Sequence, residues 1–183
     1  MLTIFIIIAL AIGFYMGYRR GLIMQGIRLF GYIITFILAT KYYETISSYI
    51  EMLIPFPAVS QGSNLAFYTE SESFFLDRAF YNALTFLLIG LVGWLVTNFL
   101  AMFFTRVTYY EVLKHVNYVG GGLINALVTY VIIFIFLYIL SLIPIEFIQQ
   151  QFVDNPIAFW IVDQTPFLAD FAKDMWMQVG IGR

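Results

Sequence analysis

The stretch "GFYMGYRRGLIMQGIR", residues 13–28, places two adjacent arginines between two long apolar segments. Arg19 and Arg20 follow an uncharged segment that begins at Leu2, and a third arginine, Arg28, lies well inside the second segment. Apolar segments joined by a short basic turn are typical of two membrane-spanning helices that meet on the cytoplasmic side. The turn therefore predicts both a fold class and an orientation for the chain.

The composition of the 183-residue chain is that of a membrane protein. Hydrophobic residues make up 62% of it and charged residues only 11%, and the mean hydropathy is +0.88. Soluble domains carry about a quarter charged residues, so this chain has too few to cover a water-soluble surface. It has no cysteine, which excludes disulfides, a thiolate nucleophile and a thiolate metal site.

Four apolar segments reach the length of roughly 17–25 residues that a membrane-spanning helix needs. They cover about residues 2–18, 21–40, 79–104 and 118–143. Backbone amides in hydrocarbon need internal partners, and no series of short alternating strands appears, so we expect helices. We predict an all-α polytopic membrane protein with a four-span domain at 1–143, an outer loop at 41–78 and a short amphipathic tail at 144–183. The basic residues follow the first apolar segment, the reverse of a signal peptide, so we expect that segment to be retained.

The charges are distributed unevenly along the chain. Arg19 and Arg20 lie in the first short loop, and Arg106 and Lys114 lie in the loop between spans three and four, against one acid, Glu111. The other acids all fall in residues 41–78 and 144–183. Short loops rich in Lys and Arg stay cytoplasmic. We therefore predict a multi-pass protein of the cell membrane with both termini outside the cytoplasm.

The tail contains a second amphipathic segment. Thr165 followed by Pro166 is a favourable helix start, and the residues that then fall on one side at helical spacing are apolar: Phe167, Leu168, Phe171, Met175 and Val179. Trp160 and Trp176 suit the headgroup layer. Such a segment lies either at the outer membrane interface or as a cap packed over the mouth of the bundle.

Polar side chains within the spans are candidates for function because they are costly in hydrocarbon. Arg28 lies about 10 Å deep at 1.5 Å per residue, Asn98 and Asn125 reach a similar depth from spans three and four, and Gln25 lies one turn shallower. We predict one buried polar layer formed by Arg28, Asn98 and Asn125. The alternative is that Arg28 snorkels to the headgroups while the asparagines bond separately.

Glycines recur at a spacing that allows close helix packing. The residues concerned are Gly13, Gly17 and Gly21 at the end of span one, and Gly121 and Gly122 at the start of span four. Such glycines form either the interface of a homo-oligomer or contacts within the four-helix unit, and we favour the second. The "GGG" of residues 120–122 also suits a flexible entry to span four.

The sequence offers little for catalysis. His115 is the one histidine, and with Glu111 it supplies two ligands where zinc needs three or four. The serines lie mostly across the membrane from this histidine, which disfavours a Ser-His pair, and no phosphate-binding loop is present. No basic patch with interleaved aromatic residues indicates nucleic-acid binding. We expect a protein that is not an enzyme and that needs no metal or cofactor.

Two motifs resemble those of the colicin V production protein (CvpA) family. They are "GFYMGYRRG" at the end of span one and "VNYVGGGLINAL" at the start of span four, where Asn117 and Gly121 fit the family pattern. The resemblance covers residues 1 to about 143. It implies a small plasma-membrane protein connected with toxin production and envelope integrity. In some relatives the same helices precede an extracytoplasmic serine protease domain, which requires an outward C-terminus.

Two functions compete at this point. The first is a scaffold or accessory factor in toxin export or envelope maintenance, with the tail as its contact surface for other envelope proteins. The second is a small channel or transporter subunit with the layer around Arg28 lining the path. One charge in four spans is sparse for an ion route, and transporters usually show internal repeats. The sequence therefore favours the scaffold.

Overall fold

The computed structural model describes residues 2–57, 65–69, 72–104 and 114–177. Seven α-helices lie in this part of the chain: α1 Leu2–Arg20, α2 Leu22–Glu51, α3 Leu76–Ala101, α4 Lys114–Ser141, α5 Glu146–Val153, α6 Pro156–Gln164 and α7 Leu168–Ala172. A 3₁₀ turn, Ser73–Phe75, precedes α3, and a π-helical turn, Lys173–Met177, follows α7. The described residues contain no strand, and α1 to α4 are long and apolar enough to cross a bilayer. The predicted all-α polytopic class is confirmed.

Two of the long helices extend further than their apolar segments. Residues 41–51, which we assigned to the outer loop, continue α2 to Glu51, because the sequence contains no helix breaker before Pro55. α4 begins at Lys114, so Gly120, Gly121 and Gly122 lie inside a helix and do not form a flexible entry to it. Hydropathy locates the apolar part of a helix, whereas its ends depend on capping and on breakers.

The contacts divide the chain into two compact units. The first unit comprises residues 3–41 and 88–133, and the second comprises residues 42–87 and 134–183. The first unit therefore contains α1 and parts of α2, α3 and α4, and the second contains the remaining parts of those three helices together with the tail.

Helices α1 and α4 of the first unit approach each other through glycines. A Cβ atom added to Gly121 would lie 2.7 Å from the carbonyl oxygen of Gly17 and 2.6 Å from the carbonyl carbon of Gly21. A Cβ added to Gly17 would meet the same stretch of α4, at the Gly121 oxygen and the Asn125 side chain. The pairs Gly13–Thr129 and Gly122–Phe14 belong to the same contact. Every glycine that the sequence singled out is therefore used for packing within this chain.

Helices α2 and α3 of the first unit pack through two reciprocal pairs of small residues. A Cβ added to Gly31 would collide with Thr97, and one added to Gly93 would collide with Thr35. The order of the pairs shows that these two helices run antiparallel. The hydroxyl of Thr35 is satisfied within its own helix, since it donates to the carbonyl of Gly31 at 2.9 Å.

A single residue makes the turn between α1 and α2. Gly21 has φ +81°, a left-handed conformation that only glycine adopts at low cost, and its amide donates to the Gly17 carbonyl at 3.0 Å. The first amide of α2, that of Leu22, donates to Oδ1 of Asn117 at 2.8 Å. Asn117, which lies on α4, thus caps the N-terminus of α2. The bond also holds the turn at Gly21, which directly follows the paired arginines at the end of α1.

The tail forms much of the core of the second unit. Trp176 is 1% exposed and packs edge-on against Phe86 of α3 and Tyr138 of α4, with ring centroids 5.4 and 5.1 Å apart. Two hydrogen bonds hold the backbone beside it: Tyr43 donates to the Met175 carbonyl at 3.0 Å, and Asn82 donates to the Trp176 carbonyl at 3.3 Å. Of the two arrangements considered for the tail, the structure has the packed cap.

Candidate functional site

The polar side chains of the first unit form two hydrogen-bonded groups. In the first group the Gln25 amide donates to Oδ1 of Asn125 at 2.7 Å, and the Asn125 amide donates to the Gly13 carbonyl at 2.5 Å. Gln25 is fully buried. This chain of bonds links α2, α4 and α1, and its geometry depends on the glycine contact that brings α1 close to α4.

The second group surrounds Arg28. Its Nη1 atom donates to Oδ1 of Asn98 at 2.6 Å, and the Asn98 amide donates to the Trp94 carbonyl at 2.7 Å and to the Tyr32 hydroxyl at 3.3 Å. The guanidinium of Arg28 is therefore bound to α3, whereas a snorkelling arginine would extend freely to the headgroups. Asn98 and Asn125 lie in different groups, Asn98 with Arg28 and Asn125 with Gln25.

Two buried polar atoms of these groups have no hydrogen-bond partner among the described residues. They are Oε1 of Gln25 and Nε of Arg28. A buried donor or acceptor without a partner costs about 1–3 kcal/mol, and more in hydrocarbon. The arginine Nε can therefore donate one further hydrogen bond, and the glutamine oxygen can accept one.

The second unit contains an open cleft of about 370 Å³ between the end of α2 and the start of α3. Its lining is polar, with three acids and one base among eight residues: Glu44, Ser47, Ser48, Glu51, Asp77, Arg78, Tyr81 and Asn82. The Tyr81 hydroxyl donates to the Ile54 carbonyl at 2.7 Å, which holds the chain beyond α2 beside α3.

Gln149 holds three segments of the second unit together. Its amide nitrogen donates to the carbonyls of Ser141 and Ile143 at 2.9 and 2.8 Å, and its oxygen accepts the Ala66 amide at 2.9 Å. The side chain therefore satisfies carbonyls left open where α4 ends. Close to this point the Tyr68 hydroxyl lies 3.0 Å from the Ser141 hydroxyl, and burial raises the pKa of Tyr68 to about 12.

An ion pair connects the tail to the segment before α3. Nζ of Lys173 lies 3.0 Å from Oε1 of Glu72, while Oε2 of Glu72 accepts the amide and hydroxyl of Thr69 at 3.0 and 3.1 Å. The backbone hydrogen bond from Thr69, with the charge of Lys173, lowers the pKa of Glu72 below its ordinary value of 4.5. Both side chains are partly exposed, so the contribution to stability stays below about 1 kcal/mol.

The depressed pKa of Glu72 predicts a small acid-sensitive step in stability. Its contribution is fully present above pH 4.5 and is lost as the pH falls through the lower pKa of the folded state. We expect Glu72→Gln to lose less stability on acidification than the wild type over this window. Thermal unfolding in detergent between pH 6 and pH 3 measures the difference, and identical pH profiles for the two proteins would exclude this role.

Several other residues that the sequence analysis singled out take no part in these polar groups or lie outside the described residues. Arg19 is exposed and its guanidinium carbon lies 6.0 Å from the centre of the Tyr15 ring, and His115 is also exposed. Arg106, Glu111, Val179 and the side chain of Lys114 fall outside the described residues. No group of three or more potential metal ligands occurs in the part of the chain that the structure describes.

Two predictions about the tail are wrong. Trp176 does not lie in the headgroup layer, because it is buried against α3 and α4, whereas Trp160 is 51% exposed. Thr165 does not cap a helix start: its hydroxyl donates to the Ile161 carbonyl at 2.6 Å and so ends α6. α7 begins at Leu168 after Phe167, which has φ 64°. Of the predicted apolar face, Phe167 is exposed and Leu168, Phe171 and Met175 are only half-buried, whereas Ala172, Trp176 and Met177 are fully buried.

Sequence reasoning missed the contacts between α2 and α3. The spacing of four between Gly31 and Thr35, and between Gly93 and Thr97, is the same signal that identified the glycines of α1. The roles of Gln149 and Tyr68 had no local signal, since their partners lie in segments distant along the chain.

The sequence profile of the colicin V production protein family matches residues 2–166. This range extends the predicted resemblance, which ended near residue 143, into the tail. The chain is also similar to the uncharacterized transmembrane protein YshB of Bacillus subtilis (strain 168), with 30% identity over 181 residues that cover 98% of this chain and 99% of that protein. No solved structure matches the chain.

Proposed function

The chain belongs to the colicin V production protein family, and from this membership we propose that it is a non-enzymatic membrane scaffold in toxin export or envelope maintenance. The lipid bilayer is its environment, because four helices are apolar enough to cross it. In this proposal the first unit anchors the protein, and the second unit presents the polar cleft to another envelope protein.

The packed tail is the observation that carries the proposal. A tail that only touched the membrane would not need Trp176 in the core or Gln149 bridging three segments. These contacts instead fix the elements that surround the cleft, so that its charges are held in place before a partner binds. A pre-organised surface loses less entropy on association, which is what a docking scaffold requires.

Crosslinking in living cells tests the partner. The photoreactive residue p-benzoylphenylalanine would replace Ser48, which is exposed and lines the cleft, or Gln150, which is exposed elsewhere in the second unit. We expect a discrete crosslinked product from position 48 and none of that size from position 150. Equal products from both positions, or none from either, would contradict a docking role for the cleft.

Charge reversal tests whether the same cleft supports the cellular role. Glu51→Lys and Asp77→Lys change the cleft, while Asp154→Lys changes an exposed acid outside it. In cells that lack the chromosomal copy, we expect Asp154→Lys to restore dye exclusion by the envelope and the two cleft variants to fail at equal protein level. Full restoration by all three variants would exclude the cleft from this role.

The predicted orientation places this cleft outside the cytoplasm. The chain has no cysteine, so single cysteines at Ser60, His115 and Gly182 can be labelled with a membrane-impermeant maleimide. We expect labelling of positions 60 and 182 in intact cells, and of position 115 only after permeabilisation. The reverse pattern would invert the topology and remove the envelope as the location of the partner.

The channel alternative is favoured by one observation, the unpartnered buried atoms of Gln25 and Arg28. The hydrogen bonds of the same two side chains oppose the channel alternative, because they join helix to helix and leave those donors unavailable to a permeating ion. Reconstitution in liposomes separates the two functions. A scaffold leaves ion flux at the level of empty liposomes, whereas a channel raises it and Gln25→Leu changes that rate.

A further inference from the structure

The arginines at the α1–α2 end of the first unit have no acidic residue beside them in the described part of that unit. No Asp or Glu occurs in residues 3–41, 88–104 or 114–133, which are the described residues of this unit. The guanidinium of Arg20 nevertheless lies near that of Arg28, and Tyr32 is close to Arg20 as well. Two like charges brought together in a partly apolar setting repel each other, so the arrangement favours a bound anion.

The donors of the two guanidinium groups are largely unused. A guanidinium has five N–H donors. Arg28 donates one hydrogen bond to Asn98, and its buried Nε has no partner among the described residues. The guanidinium of Arg20 makes no hydrogen bond or ion pair within that same part of the chain. The Tyr32 hydroxyl accepts from Asn98, which leaves its own proton for a further acceptor.

We propose that Arg20, Arg28 and Tyr32 form a binding site for a phosphate group. Arginine suits phosphate because its planar donors bond two oxygens at once, and basic pockets between membrane helices on the cytoplasmic side bind anionic headgroups. Asn98 belongs to the site as the residue that orients the Arg28 guanidinium through the 2.6 Å bond.

The surface beside the site favours a phosphate carried by a lipid over one free in solution. Arg28 lies about 10 Å along the helix from Gly21, below the level at which a soluble anion would arrive. Trp94, one helical turn before Asn98 on α3, and Phe99, next to Asn98, are exposed, so they can contact acyl chains while the headgroup bonds to the arginines. A lipid headgroup supplies the phosphate without leaving the membrane.

Native mass spectrometry of the full-length protein in detergent tests the site. Dioleoylphosphatidylglycerol, dioleoylphosphatidylcholine and sodium phosphate would be titrated against the wild type, Arg20→Gln, Arg28→Gln and Arg19→Gln. Arg19 is the matched control because it is adjacent in sequence but exposed and stacked on Tyr15. For the wild type we expect phosphatidylglycerol to bind its first site about tenfold more tightly than phosphatidylcholine, the effect of one charged hydrogen bond.

The variants decide between the outcomes. Arg20→Gln and Arg28→Gln should each weaken phosphatidylglycerol binding about tenfold, and Arg19→Gln should leave it unchanged. If Arg28→Gln does not fold, the Arg20 variant still tests the site, because the Arg20 guanidinium makes no hydrogen bond to any described residue. Saturable binding of sodium phosphate that depends on Arg20, without a preference for phosphatidylglycerol, would assign the site to free phosphate. Equal lipid affinities in all four proteins would overturn the proposal.

Discussion

Replacing Gly121 by alanine should destabilise the protein by about 2–3 kcal/mol, the upper part of the range for overpacking a core. The added methyl group would lie 2.6–2.7 Å from backbone atoms of Gly17 and Gly21. Backbone atoms cannot rotate away as a side chain can, so α1 and α4 would have to separate. Separation would also strain the bond between Asn125 and the Gly13 carbonyl and, through it, the position of Gln25.

Gly26 provides the matched control for this variant. It lies in α2, it is exposed, and a Cβ added to it would meet nothing within 4 Å. Gly26→Ala should therefore be neutral or stabilise the helix by about 0.5–1 kcal/mol. Unfolding by sodium dodecyl sulfate in mixed micelles measures both free energies. Equal stability of the two variants would show that α1 and α4 are not held by close backbone contact.

The sequence predicts the first unit well because its signals are local. Apolar length identifies each span, and a spacing of four locates the glycines that face a neighbour, with Gly17 and Gly121 in contact. The pairing of helices is not local: hydropathy gives Asn98 and Asn125 equal depth, yet Asn98 bonds to Arg28 and Asn125 to Gln25. Depth alone does not distinguish one shared polar layer from two separate pairs, because the rotation of each helix about its axis decides which side chains meet.

The second unit is where the sequence predicts least. Its tail helices are short, and helical periodicity in Phe167, Leu168 and Phe171 indicates an apolar face without indicating what covers it. The buried residues are instead Trp176 and Met177, because the long-range contacts with α3 and α4 outweigh the local amphipathic pattern. The bridge through Gln149 joins residues 66, 141 and 143, and no local rule connects positions that far apart.

Replacing Trp176 by alanine should release the tail from the second unit. Loss of a fully buried tryptophan costs about 3–5 kcal/mol, and here it removes the ring contacts with Phe86 and Tyr138. Trp176→Phe should cost much less, since it keeps an aromatic ring and removes the indole N–H, which has no partner among the described residues. The effect is expected to be local, because these contacts all lie within the second unit.

Limited digestion with trypsin reports this local release directly. Lys173 lies in the turn that carries Trp176, and its side chain is 52% exposed, so the rate of cleavage after it depends on how often the tail opens. We expect cleavage at least about tenfold faster in Trp176→Ala, because lowering the free energy of tail opening by only 1.4 kcal/mol raises the open fraction tenfold. Trp160→Ala, which changes a half-exposed tryptophan of the same tail, should be cleaved at the wild-type rate. Equal acceleration by both tryptophan variants would mean that the tail is held by the membrane interface, and the packed cap would no longer explain how the cleft is kept in place.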